Sequence, residues 1–107
     1  MSFSNLGLSD KVLAVVADTG YTTPTPIQEQ AIPHVLARRD VLGIAQTGTG
    51  KTAAFSLPSI DRLMESGHRR TPRSCRMLIL APTRELAAQI QQSIFAYARY
   101  TPITSDT

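Results

Sequence analysis

The sequence has little of what would carry a chain out of the cytosol or into a membrane. It holds one cysteine, Cys75, which cannot form an intramolecular disulfide and reads as an incidental thiol in an Arg-rich loop. No apolar run approaches the roughly 18 residues of a membrane span. The start, MSFSNLGLSDK, lacks the basic-then-apolar pattern of a secretion signal. These absences lead us to expect a cytoplasmic protein with no membrane partner. There are no internal repeats and no linker, and 107 residues allow one small domain at most.

What is present is ordinary globular composition, 42% hydrophobic and 18% charged. Eleven Lys+Arg against eight Asp+Glu give a net charge of +3, a balance that suits a polyanion but does not by itself demand one. Only Lys11 and Lys51 are lysines, so arginine, with its forked phosphate-binding geometry, dominates the positive charge. Arg62, Arg69, Arg70, Arg73 and Arg76 crowd one stretch. A solvated basic loop and a nucleic-acid contact both fit it.

Helix signals are clear. Ser9 can cap a helix bearing Val12, Leu13, Val16 and Ala17 on one face, with Gly20 as its stop. Thr25-Pro26-Ile27-Gln28 has a cap, a first-turn proline and a Gln three residues after the cap. The helix it starts should run to about Arg38, with Pro33 kinking or restarting it. A third helix is predicted over 51–66, bent at Pro58, and a fourth over 84–100, capped by Thr83. Residues 41–45 and 77–81 are short, apolar and uncapped, as buried strands should be. Strand, loop, helix, strand, helix implies an α/β domain with parallel strands and flanking helices. Residues 101–107, polar and containing a proline, read as a frayed end.

The strongest chemical signal is Ala45-Gln46-Thr47-Gly48-Thr49-Gly50-Lys51-Thr52. A strand turning through glycines into a helix leaves backbone N–H donors free at the helix's positive end, a cradle for phosphate. Gly48 and Gly50 allow close backbone approach, Lys51 adds a charge for the β- and γ-phosphates, and the Thr52 hydroxyl can ligate Mg²⁺. Ala45 stands where the general phosphate-loop pattern has glycine. His34 and His68 lack partners at ligand spacing and read as structural.

With Ala first, this stretch resembles the first motif of the DEAD-box RNA helicases. Gly20-Tyr21-Thr22-Thr23-Pro24-Thr25-Pro26-Ile27-Gln28 resembles that family's Q motif, and Phe3 stands where the family places an isolated aromatic. Pro82-Thr83-Arg84-Glu85-Leu86 resembles its motif Ia. The resemblance covers nearly the whole chain and implies part of a RecA-like P-loop NTPase domain. It implies ATP and Mg²⁺ as cofactors, held by Tyr21, Thr23, Gln28, Gln46, Thr47, Gly48, Thr49, Gly50, Lys51 and Thr52. It also implies that Pro82, Thr83, Arg84 and Glu85 grip the RNA sugar–phosphate chain, so that binding is largely independent of sequence.

The residue chemistry agrees. A Gln amide offers the donor and acceptor that meet adenine N7 and N6–H₂, whereas guanine presents two acceptors there, so Gln28 should favour ATP over GTP. Tyr21 can stack on the base, worth roughly 1–3 kcal/mol by analogy with base stacking elsewhere. Plainer roles stay open: Gln28 as a capping-box residue, Tyr21 as a core or staple residue, and residues 82–85 as an ordinary capped helix start.

The sequence holds no Asp-Glu-Ala-Asp, no Ser-Ala-Thr and no second domain with arginine fingers. Our expectation is therefore the N-terminal part of the first RecA-like domain of an RNA helicase, with only a partial catalytic set in Lys51 and Thr52. A short non-catalytic nucleotide- or RNA-binding module and a P-loop ATPase of another family are the alternatives. Tyr21, Gln28 and residues 82–86 argue against the last, which needs none of them.

Overall fold

Short hydroxyl side chains begin three of the helices, because each can accept from an N–H of the first turn that has no intrahelical partner. The computed structural model describes residues 2–43, 50–66 and 75–106. Among them are α1 (Asp10–Asp18), α2 (Pro26–Leu36), α3 (Lys51–Ser66) and α4 (Arg84–Tyr97), preceded by a 3₁₀ turn at Phe3–Asn5. Ser9 Oγ accepts from Val12 N, Thr25 Oγ1 from Gln28 N and Thr83 Oγ1 from Leu86 N, at 3.4, 3.4 and 3.1 Å. Each such cap contributes about 1 kcal/mol. Ser9 is anchored further, its N–H and hydroxyl both donating to the buried carboxylate of Asp61 on α3.

Two helices end in the same six-residue turn. After α1, Gly20 N bonds Ala17 O and Tyr21 N bonds Val16 O, with Gly20 at φ +84°. After α2, Arg38 N bonds Val35 O and Arg39 N bonds His34 O, but here Arg38 takes the positive φ, +65°. The chain therefore leaves α2 at Leu36 rather than Arg38, and the helix continues through Pro33 without restarting. α4 likewise stops at Tyr97, three residues before the expected end.

The core is built on α3. Ala53, Ala54, Leu57 and Ile60 are at most 1% exposed, a stripe at helical spacing that α2 covers on one side and α1 and α4 on the other. Val12, Val15 and Val16 of α1, Ile32 of α2, and Ile94 and Tyr97 of α4 join it, with Phe3, Leu6 and Leu8 closing the N-terminal end. A fully buried Leu such as Leu57 contributes roughly 1.5–3 kcal/mol. Asp18, at the end of α1, accepts from the Tyr100 hydroxyl and lies 3.7 Å from the Arg99 guanidinium. That pair is exposed enough to be worth about 0–1 kcal/mol.

The two expected strands do not form among the described residues. Segments 41–43 and 77–81 carry no sheet ladder. Leu42, Leu78 and Leu80 are 88%, 73% and 85% exposed. An apolar run expresses a demand for burial, but a strand exists only where a second backbone answers its N–H and C=O groups. Neither segment answers the other. Residues 41–43 pack closely: a Cβ at Gly43 would lie 2.8 Å from Phe55 Cζ and 3.2 Å from Ile27 Cδ1, so a larger residue would require those side chains to shift. The helical part of the α/β reading stands, and its parallel strands are not seen among the described residues.

Exposed apolar segments with unpaired backbone invite association between copies. Leu42→Lys combined with Leu80→Lys is expected to shift the chain towards monomer in sedimentation velocity, leaving its helical circular dichroism unchanged. Association that persists at the same strength would show that these segments are not its cause.

Candidate functional site

The site is assembled from the ends of helices. The turn that closes α1 hands the chain to Tyr21, whose N–H is tied to Val16 O at 3.2 Å. Phe3, 4% exposed, stacks on the Tyr21 ring with centroids 6.2 Å apart and planes 19° apart. Tyr21 keeps 38% of its surface open. Its hydroxyl hydrogen-bonds that of Tyr97 on α4 at 3.3 Å. Burial, and then the bond to Tyr21, push the Tyr97 phenol above its ordinary range, so it remains a neutral hydrogen-bonding group.

Pro24 is buried while Thr23 is exposed, and Thr25 then opens α2 through a complete capping box. Thr25 N donates to Gln28 Oε1 at 2.9 Å, the reciprocal of the cap from Gln28 N. Gln28 is 2% exposed, and its other amide atom does not idle: Nε2 donates to Gly50 O at 3.3 Å. The same carbonyl accepts the first helical bond of α3, from Ala54 N at 3.0 Å. One side chain thus joins the N-terminal turns of α2 and α3.

Gly50 makes that junction possible twice over. Its φ of +86° is a conformation L side chains rarely adopt, and a Cβ there would stand 2.4 Å from Gln28 Nε2. Lys51 and Thr52, half-buried, form the first turn of α3, where the N–H groups lack intrahelical acceptors and the helix dipole is positive. Gln46, Thr47, Gly48 and Thr49 lie outside the described residues. A helix start with free N–H donors, carrying Lys51 and Thr52 in its first turn, suits an anionic group. No three His, Cys, Asp or Glu side chains cluster to hold a metal among the described residues. The Thr52 hydroxyl is of a kind that could ligate a hard cation, whose other ligands would have to come from phosphate and water.

Pro82, Thr83, Arg84 and Glu85 are all exposed, Thr83 capping α4 and Arg84 and Glu85 forming its first turn. The structure therefore brings Gln28 to Gly50 and Tyr21 to Tyr97, while the 82–85 turn forms a separate surface. His34 lies exposed in the last turn of α2, and His68 lies outside the described residues. Sequence reasoning missed Tyr97 and the Gly50 carbonyl. Tyr97 could have been placed inside from its spacing with Ile90 and Ile94, and a buried phenol calls for a partner. Nothing in the sequence names that partner, 76 positions away.

A family model described as DEAD/DEAH box helicase matches residues 25–106. The DEAD-box ATP-dependent RNA helicase RhpA of Helicobacter pylori is 51% identical over 94% of this chain and 19% of its own length. The ATP-dependent rRNA helicase rrp3 of Emericella nidulans is 52% identical over 86% of the chain and 19% of its own. The RNA helicase Prp28 of Chaetomium thermophilum, solved bound to ADP, superposes with a TM-score of 0.86 at 42% identity, covering 96% of this chain and 25% of that one. A DEAD box protein from Methanococcus jannaschii gives 0.77 at 36% identity, covering 91% and 25%. The chain spans about a fifth of the length of the curated relatives it matches.

Gly50→Ala is expected to destabilise the fold by about 1–2 kcal/mol through its positive φ alone, and further by displacing the Gln28 amide. In a Gln28→Ala background the second contribution should vanish, so denaturant unfolding of the double variant should show a smaller loss for the same glycine change. Equal losses in both backgrounds would mean that the Gln28 amide and the Gly50 backbone are not in contact.

Proposed function

The chain belongs to the DEAD/DEAH box helicase family, and from that premise we propose that it forms the ATP-gripping and RNA-contacting part of an ATP-dependent RNA helicase that unwinds or remodels RNA. The observation that carries this reading is the Gln28 amide donating to Gly50 O, a bond between the residue we read as base-binding and the end of the loop we read as phosphate-binding.

In this reading the adenine stacks on the open part of Tyr21, backed by Phe3, with Thr23 at the rim. A carboxamide oxygen has two lone pairs and its nitrogen two hydrogens. Thr25 N and Gly50 O take one of each, and the remaining pair matches adenine N6–H₂ and N7. The phosphates lie on the N-terminal turn of α3 and on residues 46–49, where Lys51 offsets their charge. Mg²⁺, held by Thr52 and the phosphates, supplies charge neutralisation when bound. Prp28, solved with ADP, supports an adenine nucleotide as the ligand. The relatives' names support RNA as the second partner, met by Pro82, Thr83, Arg84 and Glu85 through its backbone and therefore with little regard to sequence.

The same reading makes the helical layer seen here one side of a RecA-like α/β domain, residues 41–45 and 77–81 becoming parallel strands when neighbouring backbone is supplied. It also sets the protein in the cytoplasm. Among the described residues no helix is long and apolar enough to cross a membrane.

Lys51→Ala removes a charge-assisted contact worth roughly 1.5–3 kcal/mol, and should weaken ATP and GTP about equally in equilibrium titration. Gln28→Glu keeps an oxygen for the capping box but loses the amide donor that also bonds Gly50 O, so it should weaken both nucleotides and lower the ATP/GTP preference. A Gln28→Glu chain that kept its ATP/GTP preference would remove Gln28 from base recognition.

The 107 residues contain no Asp-Glu-Ala-Asp segment, and phosphoryl transfer depends on groups that position the nucleophile and stabilise the developing charge. We expect them to release no phosphate from ATP by themselves, with or without RNA. RNA-stimulated turnover that disappears in Lys51→Ala would overturn this and require catalytic groups not named above.

A further inference from the structure

Tyr97 does work that neither nucleotide nor RNA binding, as assigned above, accounts for. It follows Ile90 and Ile94 along the inward face of α4 and is 6% exposed. A phenylalanine would fill that space without burying a hydroxyl, and a buried hydroxyl is costly unless it is bonded. Tyr97 bonds the one aromatic ring at the site that remains partly open, through the hydroxyl of Tyr21 at 3.3 Å.

Tyr21 is otherwise held at two points. The closing turn of α1 fixes its backbone through the bond to Val16 O, and Phe3 covers part of one face of the ring. Neither fixes the ring's rotation about its side-chain torsions, since an offset stack tolerates sliding and tilting. A hydrogen bond at the far end of the ring removes that freedom. We propose that Tyr97 is a positioning residue for the nucleotide base: its hydroxyl, bonded to that of Tyr21, sets the plane on which the base stacks. The inference rests on the reading that Tyr21 carries the base.

The test uses the full chain and two probes, ATP and inorganic tripolyphosphate, which has no base. Tyr97→Phe preserves the packing of the ring and removes only the hydroxyl. It should weaken ATP about 3-fold to 10-fold and leave tripolyphosphate unchanged. Tyr21→Phe should do the same, and the double variant should be no weaker than either single one, because both delete one bond. Tyr21→Ala, which removes the stacking surface, separates the two possible failures. If Tyr21→Ala weakens ATP while Tyr97→Phe does not, the positioning role is wrong and base stacking stands. If neither affects ATP, base stacking on Tyr21 fails and the positioning role fails with it. Equal losses for ATP and tripolyphosphate in Tyr97→Phe would make the residue merely structural and overturn the proposal.

Discussion

The buried carboxamide of Gln28 lies between two helix starts, accepting from Thr25 N at 2.9 Å and donating to Gly50 O at 3.3 Å. Both atoms of the amide, at 2% exposure, bond backbone groups, one in its own helix cap at Thr25 and one at Gly50, 22 positions beyond Gln28 along the chain. A buried polar group with one such bond missing costs roughly 1–3 kcal/mol, so α2 cannot shift against α3 without loss. α2 and α3 form the broadest helix contact in the structure, and the stripe of Ala53, Ala54, Leu57 and Ile60 is where the core lies. The nucleotide reading and the packing of the core thus share one side chain. Capping and the proposed base recognition, which look like competing roles for Gln28 in the sequence, would call on different lone pairs and hydrogens of the same amide.

What the sequence disclosed best was local. Ser9, Thr25 and Thr83 announce their helices because a hydroxyl one residue before a helix has a single good use there. The bounds of α3, Lys51–Ser66, were legible because a glycine precedes it and the apolar stripe is unbroken through Pro58. The ends of α2 and α4 were less so. Arg38 adopts the left-handed conformation that glycine usually marks, so no residue type signalled the stop. Tyr97 and Tyr100 are both aromatic, and only tertiary packing assigns one to the helix and one to the turn beyond it.

Pairing was not legible. Residues 41–45 and 77–81 have strand-like composition, yet 41–43 and 77–81 make no ladder, and Leu42 and Leu80 face outward. Hydrophobicity is a property of one segment, whereas a ladder belongs to two, and a sequence reports only the first. Long-range side-chain contacts were hidden for the same reason. The bonds Tyr21–Tyr97 and Ser9–Asp61 span 76 and 52 positions, and each joins residues whose types alone suit many partners.

The starts of α3 and α4 show how one physical device can serve two degrees of selectivity. Each follows an apolar segment, and each presents first-turn N–H donors beside a cation, Lys51 in one case and Arg84 in the other. Around α3 the described part of the device is half-buried. Gly50 meets the Gln28 amide, Lys51 and Thr52 are half-buried, and an anion there must also satisfy the groups that surround it. Desolvated donors discriminate strongly, because an ill-fitting ligand leaves them unpaired. At α4, residues 82–85 are exposed, and water can replace any contact a ligand fails to make. Such a surface attracts a phosphate chain without distinguishing one stretch of it from another. On the proposed reading, the α3 start would hold phosphate with Gln28 beside it to read the base, and the open start of α4 would meet an RNA backbone without reading its sequence.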